Sequence, residues 1–561
     1  MGSPSEFTIY SSTENFYLAR QNSGEVLQIN RSNSKVTLTD EKSLPFQGGK
    51  LCYGVLGIAQ FSNKHLVSIN EAEFVGRIKD SWILLVKDIE FLSYSAQIDD
   101  SVHFNHFREL VKTNSLYFSY DIDLTNSMQN LAHSKPREEF FWNKFLSEEF
   151  IRVGAKKTLL PVICGFVHFE KVNLNGKKLD FGIISRRDHR RTGTRFNTRG
   201  LDSKGHSVNF VETEQIVTFT ENTKFVVCSY VQVRGSIPLI WEQKPTLAWE
   251  PTPRVLSTSK NNSDAFTAHL QELHQNYGKV YLVNLVDKKK KQLVIGKAFS
   301  EIYKIADPKI CKYIWFDFHA ECKKMKWENL VKLIDQVDES LEKFDWFLGE
   351  VEQSQDLQRI QRIKPQKGVF RTNCMDCLDR TNVVQSVLAR RILHKQLNYF
   401  SLGNYPKNGA FPPFSDSLES WFRNIWADNA DALSYFYSGT PAQKTDFTRT
   451  GKRTFRGALK DGQYSMQRYV INNFMDGSWQ NSLDIFLGRV VPNETKLRGK
   501  YYGLFKFLLV LVFVSLANHI IASNSSEGEE YYLFYLLSLS LFLKLIKNYG
   551  RQLVDKPLIP N

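Results

Sequence analysis

Residues 371–382 read Arg-Thr-Asn-Cys-Met-Asp-Cys-Leu-Asp-Arg-Thr-Asn, and this stretch decides which fold the sequence predicts. The apolar pair Val369-Phe370 precedes it, and residues 383–397 follow with apolar side chains at helical spacing. A strand, a tight loop and a helix are therefore predicted in that order. Such a loop directs backbone N–H groups and a helix N-terminus at one point, where a phosphate dianion can bind.

Two residues of this loop have the chemistry of phosphate transfer. Cys374 stands six positions before Arg380. The positive surroundings favour a thiolate, so Cys374 is the predicted nucleophile. The planar guanidinium of Arg380 is predicted to hold two phosphate oxygens and to stabilise the charge that develops during transfer. We expect no metal ion or other cofactor, because Arg380 and the loop N–H groups supply the positive charge.

The same spacing occurs a second time, at Cys228 and Arg234. These two residues lie in a β-type run, residues 225–233, with no helical pattern directly after it. Cys228 is therefore predicted to be a buried strand cysteine. Because the bare spacing is weak evidence, the strand and helix around Cys374 are what distinguish it.

Composition limits the kinds of partner and the cellular setting that the sequence predicts. The chain has 561 residues and a net charge of +14, which suits nucleic acid, an anionic membrane surface or a phosphorylated substrate. Its seven cysteines are scattered and odd in number, and the N-terminus lacks an apolar signal segment. We therefore expect a reducing, cytosolic setting without disulfides.

Two apolar runs near the C-terminus predict a membrane hairpin. Residues 502–522 and 531–548 are the predicted spans, 523–530 form an acidic lumenal turn, and 549–561 form a cytosolic tail. Lysine and arginine on both outer flanks favour a cytosolic N-terminal region and C-terminus. The alternative is a buried helical hairpin of a soluble domain. Membrane attachment disfavours nucleic acid as the partner.

The remaining chain is predicted to have two parts and an overall α/β (α+β) fold. Residues 1–178 alternate short apolar runs with turns and predict a β-rich subdomain, with a hairpin turn at Asn175-Gly176 and an amphipathic helix over 138–150. Residues 179–488 alternate strand-like and helical runs and predict an α/β catalytic subdomain. Residues 489–501 are the predicted linker.

The stretch 371–382 resembles the signature of the Sac-domain phosphoinositide phosphatases. The resemblance spans residues from about 50 to 490 and includes further blocks at 193–200, 209–215, 234–238, 316–322, 426–430 and 444–451. With its terminal hairpin the chain is similar to the integral-membrane members of the endoplasmic reticulum and Golgi. The resemblance implies a phosphoinositide substrate, chiefly phosphatidylinositol 4-phosphate and also the 3-phosphate, at an anionic lipid surface. It also implies possible partners for retention or membrane contact.

A general acid must protonate the inositol oxygen as it leaves. Asp376 and Asp379 lie inside the loop, where a carboxylate is unfavourable beside a phosphate dianion. Asp379 has the position of the acid suggested for the related myotubularin loop and is the first candidate. Asp376 and the off-loop Asp317 follow, and a helix-capping role is the alternative for Asp376.

Other residues are predicted to contact the substrate or to support the loop. The candidates are Arg371, Met375, Cys377, Leu378, Thr381 and Asp317, and the resemblance adds Arg234. Cys377 either packs or forms a reversible disulfide with Cys374; zinc would need two further ligands. His319 is interpreted as structural. The arginines between 186 and 199 and the lysines 288–291 are candidates for anionic headgroups, with a solvated face as the alternative for the lysines.

Two rival functions remain open. The first is a phosphoprotein phosphatase that uses the same loop. Asn373 stands where protein tyrosine phosphatases typically carry a histidine, which argues against it. The second is an inactive lipid-binding tether, and the intact pair of Cys374 and Arg380 argues against that.

Overall fold

The computed structural model describes residues 5–44, 48–95, 100–132, 135–256, 259–406, 413–490, 502–522 and 528–558. Most of the predicted linker and residues 523–527 of the predicted turn lie outside these ranges. The chain begins with a five-stranded antiparallel sheet in the order β4-β3-β2-β1-β5. Its strands are β1 (Phe7–Ser11), β2 (Asn15–Arg20), β3 (Val26–Asn30), β4 (Val36–Thr39) and β5 (Lys50–Cys52).

A large mixed sheet forms the centre of the molecule, in the order β17-β16-β20-β13-β12-β11-β10-β9-β8-β7-β6, with β18 and β19 added beside β13. Within the described residues, β14 and β15 form a separate two-stranded sheet. The strands are β6 (Gly54–Gln60), β7 (Lys64–Ile78), β8 (Ser81–Ser93), β9 (Leu116–Ser119), β10 (Ile163–Leu174), β11 (Lys177–Arg187), β12 (Val211–Glu221), β13 (Lys224–Arg234), β14 (Trp241–Glu242), β15 (Arg254–Val255), β16 (Lys279–Asn284), β17 (Cys311–Trp315), β18 (Phe347–Glu352), β19 (Gln361–Lys364) and β20 (Gly368–Asn373).

Helices pack against both the antiparallel and the parallel part of this sheet and make up most of the described chain after β20. They are α1 (Ser101–Lys112), α2 (Glu148–Arg152), α3 (Ser259–Tyr277), α4 (Lys290–Tyr303), α5 (Phe318–Glu321), α6 (Val331–Phe344), α7 (Asp379–Tyr399), α8 (Asp416–Ser438), α9 (Thr445–Thr450), α10 (Phe455–Phe474), α11 (Asp476–Phe486), α12 (Tyr502–Ala522) and α13 (Gly528–Leu553). The predicted mixed α/β fold is confirmed.

The pairing in the sheet changes from antiparallel to parallel at β20, the strand before the Cys374 loop. Strands β6 to β13 pair antiparallel, whereas β20 pairs parallel with both β13 and β16, and β16 pairs parallel with β17. Every residue of β20 is buried, as expected for a strand inside a parallel sheet. Ligands bind outside the carboxyl ends of such strands, and β20 leads directly into the Cys374 loop.

Two local predictions for the N-terminal part have different outcomes. Asn175 and Gly176 have φ values of 53° and 83° and join β10 to β11, so the predicted two-residue hairpin turn is confirmed. The predicted helix over 138–150 is wrong: the structure has a 3-10 turn at Glu138–Phe140 and then α2. Between them the buried Asn143 amide donates to the carbonyls of Leu56 and Leu160, which ties this segment to its neighbours instead.

The predicted division at residue 178 falls inside the β10–β11 hairpin. The two strands pair from Leu174 opposite Lys177 to Gly165 opposite Arg186. The sheet therefore continues across the predicted boundary. A change in the local sequence pattern does not reveal that one sheet spans both predicted subdomains, because strands that differ in composition can pair.

The C-terminal helices α12 and α13 form a hairpin, in which the hydroxyls of Ser515 and Ser538 lie 2.9 Å apart. Many apolar side chains of this hairpin, such as Phe513 and Leu533, are exposed. Within the ranges that the structure describes, no helix is both long and apolar enough to cross a membrane. Membrane spanning therefore stays a prediction.

Candidate active site

The Cys374 loop joins the buried strand β20 to the first turn of α7. Cys374 is the first residue after β20, and Asp379 and Arg380 open the helix. The N-terminal cap, Leu378, offers no capping side chain. The first N–H groups of α7 are thus available to an anion beside the loop. Strand, loop and helix follow one another as the sequence predicted.

A cavity of about 330 Å³ opens above this loop. Among the predicted residues, six loop residues line it: Cys374, Met375, Asp376, Leu378, Asp379 and Arg380. Cys374 is almost completely buried, so a substrate reaches its thiol through this cavity. Five other predicted residues do not belong to the lining, namely Cys377, Thr381, Arg371, Arg234 and Asp317.

The Arg380 guanidinium lies beside the loop and is already engaged. Its Nη1 donates to the Leu285 carbonyl at 3.2 Å, to Oδ1 of Asp287 at 3.2 Å and to Oε1 of Gln292 at 3.1 Å. Burial lowers the pKa of Arg380, but Cys374 and Asp287 more than offset this and raise it above its ordinary value. The charge is therefore permanent, and a bound phosphate must share or replace the bond to Asp287.

His319 contributes to the same cluster, although the sequence alone indicated only a structural role for it. Its Nδ1 lies 2.8 Å from Oδ1 of Asp287, and the ring lines the cavity. Burial raises the pKa of Asp287, but the hydrogen bond with His319 and the charge of Arg380 hold it below its ordinary value. The block 316–322 was the only signal in the sequence that pointed to this histidine.

Asp376 is paired with two arginines from a distant part of the chain. Nη2 of Arg195 donates to its Oδ2 at 2.8 Å, and Nη2 of Arg199 donates to its Oδ1 at 2.7 Å. Burial raises the pKa of Asp376, but these two guanidinium groups lower it far below the ordinary range. A carboxylate held ionised in this way is a poor proton donor, and it does not cap α7.

Asp379 also lines the cavity, and its ion pair is longer than those of Asp376. Its Oδ1 accepts the backbone N–H of Gln443 at 2.8 Å, and Nη1 of Arg468 lies 3.6 Å from its Oδ2. The Asp379 side chain is 29% exposed, against 20% for Asp376. Position and access thus favour Asp379 over Asp376 as the proton donor.

Asp317 has a structural role in this arrangement. Its carboxylate accepts the backbone N–H of Ala320 at 3.0 Å, which caps α5, and the backbone N–H of Lys288 at 2.9 Å. Both oxygens are thereby used to hold two backbone segments together. This geometry disfavours Asp317 as the acid.

Arg234 and Arg371 lie fully buried beneath the loop. Arg371 donates to the carbonyl of Ser236 and to Oδ1 of Asn373, and Arg234 donates to Oδ1 of Asn382 at 3.2 Å. Burial lowers the pKa of each guanidinium to about 10. Nε and Nη1 of Arg234 are buried without a hydrogen-bond partner among the described residues. Both arginines therefore place positive charge under the loop without contacting the cavity.

Cys377 and Thr381 are buried behind the loop rather than in the cavity. The Cys377 thiol contacts the Gly235 carbonyl at 2.6 Å, and its φ of 54° turns the chain towards α7. Burial raises the pKa of Cys377 to about 12. These contacts favour the packing interpretation of Cys377. Cys228, the second cysteine with this spacing, lies buried in β13 as predicted.

Two members of the arginine-rich segment are buried and paired with carboxylates. Arg186 is fully buried and pairs with Glu212 and Glu214, and Arg199 is buried against Asp376. The expectation that these arginines meet headgroups is therefore wrong for Arg186 and Arg199. Arg186 lies in β11 and Arg199 in the loop that follows it, and the charge run alone did not reveal that both are buried.

The ion pairs of Asp376 lead to a prediction about stability. Asp376→Asn should destabilise the protein by about 3 kcal/mol, because it leaves the buried Arg199 guanidinium without its counter-charge. The stabilisation from Asp376 is present above the ordinary carboxyl pKa and is lost only as pH falls through the lowered folded-state pKa. Thermal unfolding of the intact protein at neutral pH measures the effect.

The partly exposed pair of Arg449 and Asp428 provides the control for this prediction. Asp428→Asn should change the free energy of unfolding by less than about 1 kcal/mol, because solvent screens that pair. Equal effects of the two substitutions would contradict the structural role of Asp376.

Cysteine-dependent phosphatases typically carry the nucleophile in a loop between a buried parallel strand and the N-terminus of a helix. An arginine stands six residues after that cysteine. Comparison with known proteins identifies which group of phosphatases this chain is similar to. The SacI homology domain matches residues 53–323. Phosphatidylinositol-3-phosphatase SAC1-A of Danio rerio is 36% identical, with 98% of this chain and 97% of that protein covered.

Two further relatives agree with this match. Phosphatidylinositol-3-phosphatase SAC1 of Drosophila melanogaster is 37% identical over 98% of this chain and 96% of its own length. The protein of the same name from Saccharomyces cerevisiae is 36% identical over 85% of this chain and 78% of its own length. This chain belongs to the SacI homology family of phosphoinositide phosphatases.

Proposed function

We propose that this protein hydrolyses the phosphate monoester of a phosphoinositide through a phosphocysteine intermediate. The observation that carries the proposal is the cavity shared by Cys374, Asp379 and Arg380 at the start of α7. The relatives from Danio rerio and Drosophila melanogaster, which match 98% of this chain, are named phosphatidylinositol-3-phosphatases and support a phosphatidylinositol phosphate as the substrate.

The chemistry needs two steps. The Cys374 thiolate attacks phosphorus, the bond from phosphorus to the inositol oxygen breaks, and Asp379 protonates that oxygen. Water then attacks the phosphocysteine, Asp379 takes up a proton, and inorganic phosphate and the thiolate are released. Arg380 stabilises the charge on the phosphate oxygens in both steps after it exchanges Asp287 for the substrate.

The finer assignments are part of the same proposal. Phosphatidylinositol 4-phosphate is the chief substrate and the 3-phosphate a further one, and the protein resides in endoplasmic reticulum and Golgi membranes through its C-terminal hairpin. The exposed apolar side chains of α12 and α13 support membrane attachment. Alkaline carbonate extraction of cell membranes tests it: release of the protein into the supernatant would refute integral attachment.

A substrate panel tests the proposed activity. We expect the full-length protein to release phosphate from phosphatidylinositol 4-phosphate fastest among the phosphoinositide isomers, and faster than from phosphotyrosine and phosphoserine peptides. Faster turnover of a peptide would favour the phosphoprotein phosphatase. Binding of all lipids without phosphate release would favour the inactive tether.

The role of Asp379 as general acid predicts that its removal affects two kinds of substrate to different extents. Asp379→Asn should lower kcat for the lipid by about 100-fold, because the inositol oxygen is a poor leaving group without a proton. Turnover of an aryl phosphate with an acidic phenol should fall only a few-fold, because that phenolate leaves unprotonated. Steady-state kinetics with both substrates measure the difference.

Asp376→Asn is the matched control in the same loop. Its carboxylate holds Arg195 and Arg199 rather than the leaving group, so its effect should be similar for both substrates. Equal losses for both substrates in Asp379→Asn would argue against a proton-donating role.

A further inference from the structure

Helix α10 exposes an apolar stripe beside the active-site cavity. Phe455, Leu459, Met466 and Val470 are 79%, 60%, 58% and 46% exposed. Successive residues of an α-helix are about 100° apart, so these four side chains lie within an arc of about 60°. Four large apolar side chains on one exposed face of a helix indicate an interaction surface.

The two faces next to this stripe differ in chemistry. On one side, Ser465, Arg468 and Tyr469 line the active-site cavity. On the other side, Arg456 and Lys460 are exposed to solvent. The helix contains one acidic residue, Asp461, and it is paired with Arg453. The stripe therefore lies between the cavity and a row of positive charge.

The apolar surface continues around the rim of the cavity. Trp249 is exposed, lines the cavity and stacks on Tyr469 with ring centroids 5.5 Å apart. The neighbouring Leu247 packs in one cluster with Leu545 and Leu553 of α13. The α10 stripe and the exposed Trp249 are thus adjacent, and a buried cluster around Leu247 ties this region to the end of the C-terminal hairpin.

We propose that the α10 stripe (Phe455, Leu459, Met466 and Val470) inserts into the interfacial layer of an anionic lipid bilayer and seats the cavity over a lipid headgroup. An amphipathic helix with a basic flank binds at this depth, because its apolar side chains meet the acyl boundary while its charges meet anionic headgroups. The proposal rests on the proposed function, since a phosphoinositide headgroup is presented at such a surface.

The position of the α10 stripe beside the cavity links lipid contact to turnover of a membrane substrate. The phosphate must reach a nearly buried thiol while the acyl chains stay in the bilayer. A helix that lines the cavity with one face and contacts lipid with the adjacent face brings the two requirements together. Substrates without a bilayer do not need this contact.

The test compares two substrates in the full-length protein. The triple variant Phe455→Gln, Leu459→Gln, Met466→Gln should lose about tenfold in kcat/KM for phosphatidylinositol 4-phosphate in phosphatidylcholine–phosphatidylserine vesicles. Its kcat/KM for water-soluble short-chain phosphatidylinositol 4-phosphate should stay within about twofold of the unchanged protein, because the cavity lining is intact. An equal loss on both substrates, or no loss on vesicles, would overturn the proposal.

A matched control replaces three exposed apolar residues elsewhere, Leu51→Gln, Val102→Gln and Ile363→Gln. This variant should turn over both substrates like the unchanged protein. If it lost vesicle activity to the same extent, the effect would not be specific to α10. Dimers that dissociate in the α10 variant would show that the stripe binds a second copy, which also overturns the proposal.

Amide hydrogen exchange separates this proposal from the proposed function. Residues 455–470 should exchange more slowly with vesicles containing phosphatidylserine than with phosphatidylcholine vesicles, whether or not the protein hydrolyses the lipid. Slower exchange without phosphate release would retain the lipid surface and reject the phosphatase. Unchanged exchange together with phosphate release would reject the lipid surface alone.

Discussion

Cys374→Ser is expected to lower phosphate release from phosphatidylinositol 4-phosphate by at least about 10⁴-fold, because it removes the nucleophile. Serine keeps the size of the side chain, but its hydroxyl is far less acidic than a thiol. Lipid binding should persist, since Arg380 and the loop N–H groups remain. Phosphate release and equilibrium binding to lipid vesicles measure the two effects.

The intermediate itself offers a second readout. The unchanged protein, mixed briefly with radiolabelled lipid and quenched in acid, should carry label on Cys374, and the variant should carry none. Cys228→Ser is the matched control, because Cys228 has the same spacing to an arginine but lies buried in β13. Phosphate release by Cys374→Ser at the normal rate would refute the mechanism.

Arg380→Lys is expected to lower kcat by about 100- to 1,000-fold while keeping the positive charge. Lysine cannot hold two phosphate oxygens in a planar fork, so the charge that develops in the transition state is less well stabilised. The loss should appear mainly in kcat, because charge alone still attracts the phosphorylated headgroup. Steady-state kinetics on lipid vesicles give kcat and KM separately.

The control for this substitution lies on the same helix. Arg390 forms two hydrogen bonds with Glu419, at 2.6 and 2.9 Å, and does not line the cavity. Arg390→Lys should therefore leave kcat within about twofold, although it disturbs a similar bidentate pair. A kcat for Arg380→Lys equal to that of Arg390→Lys would contradict transition-state stabilisation by Arg380.

The pair of Arg380 and Asp287 shows how the site is prepared for an anion. Asp287 accepts from Arg380 and interacts with His319, so the guanidinium is held at the loop with its charge balanced. A phosphate dianion offers a stronger partner, because it carries more charge and more acceptor oxygens. The ion pair with Asp287 therefore holds Arg380 at the loop and still allows it to bind a phosphate.

Sequence reasoning succeeded where local pattern controls structure. The order of strand, loop and helix around Cys374, the turn at Asn175-Gly176 and the strand position of Cys228 all follow from periodicity and turn chemistry over a few residues. The helix predicted over 138–150 failed because the buried amide of Asn143 binds carbonyls far away in the chain.

The assignment of the two loop aspartates needed the tertiary structure. In the sequence Asp376 and Asp379 lie three residues apart, and only the family resemblance ranks Asp379 first. The fold pairs Asp376 with Arg195 and Arg199 at 2.8 and 2.7 Å, whereas the contact of Asp379 with Arg468 is longer, at 3.6 Å. The proton affinity of a carboxyl depends on charges within a few ångströms, and these charges come from residues nearly 180 positions earlier.

The sequence by itself determined the chemistry of the loop, because a cysteine and an arginine six positions apart between a strand and a helix are linked by local backbone geometry. Only the tertiary structure decided what surrounds that loop: the buried arginines beneath it, the pairing of Asp287 with Arg380, and the exposed stripe of α10 beside the cavity. These features arise from strand pairing and helix packing between distant segments, and no local pattern specifies which segments meet.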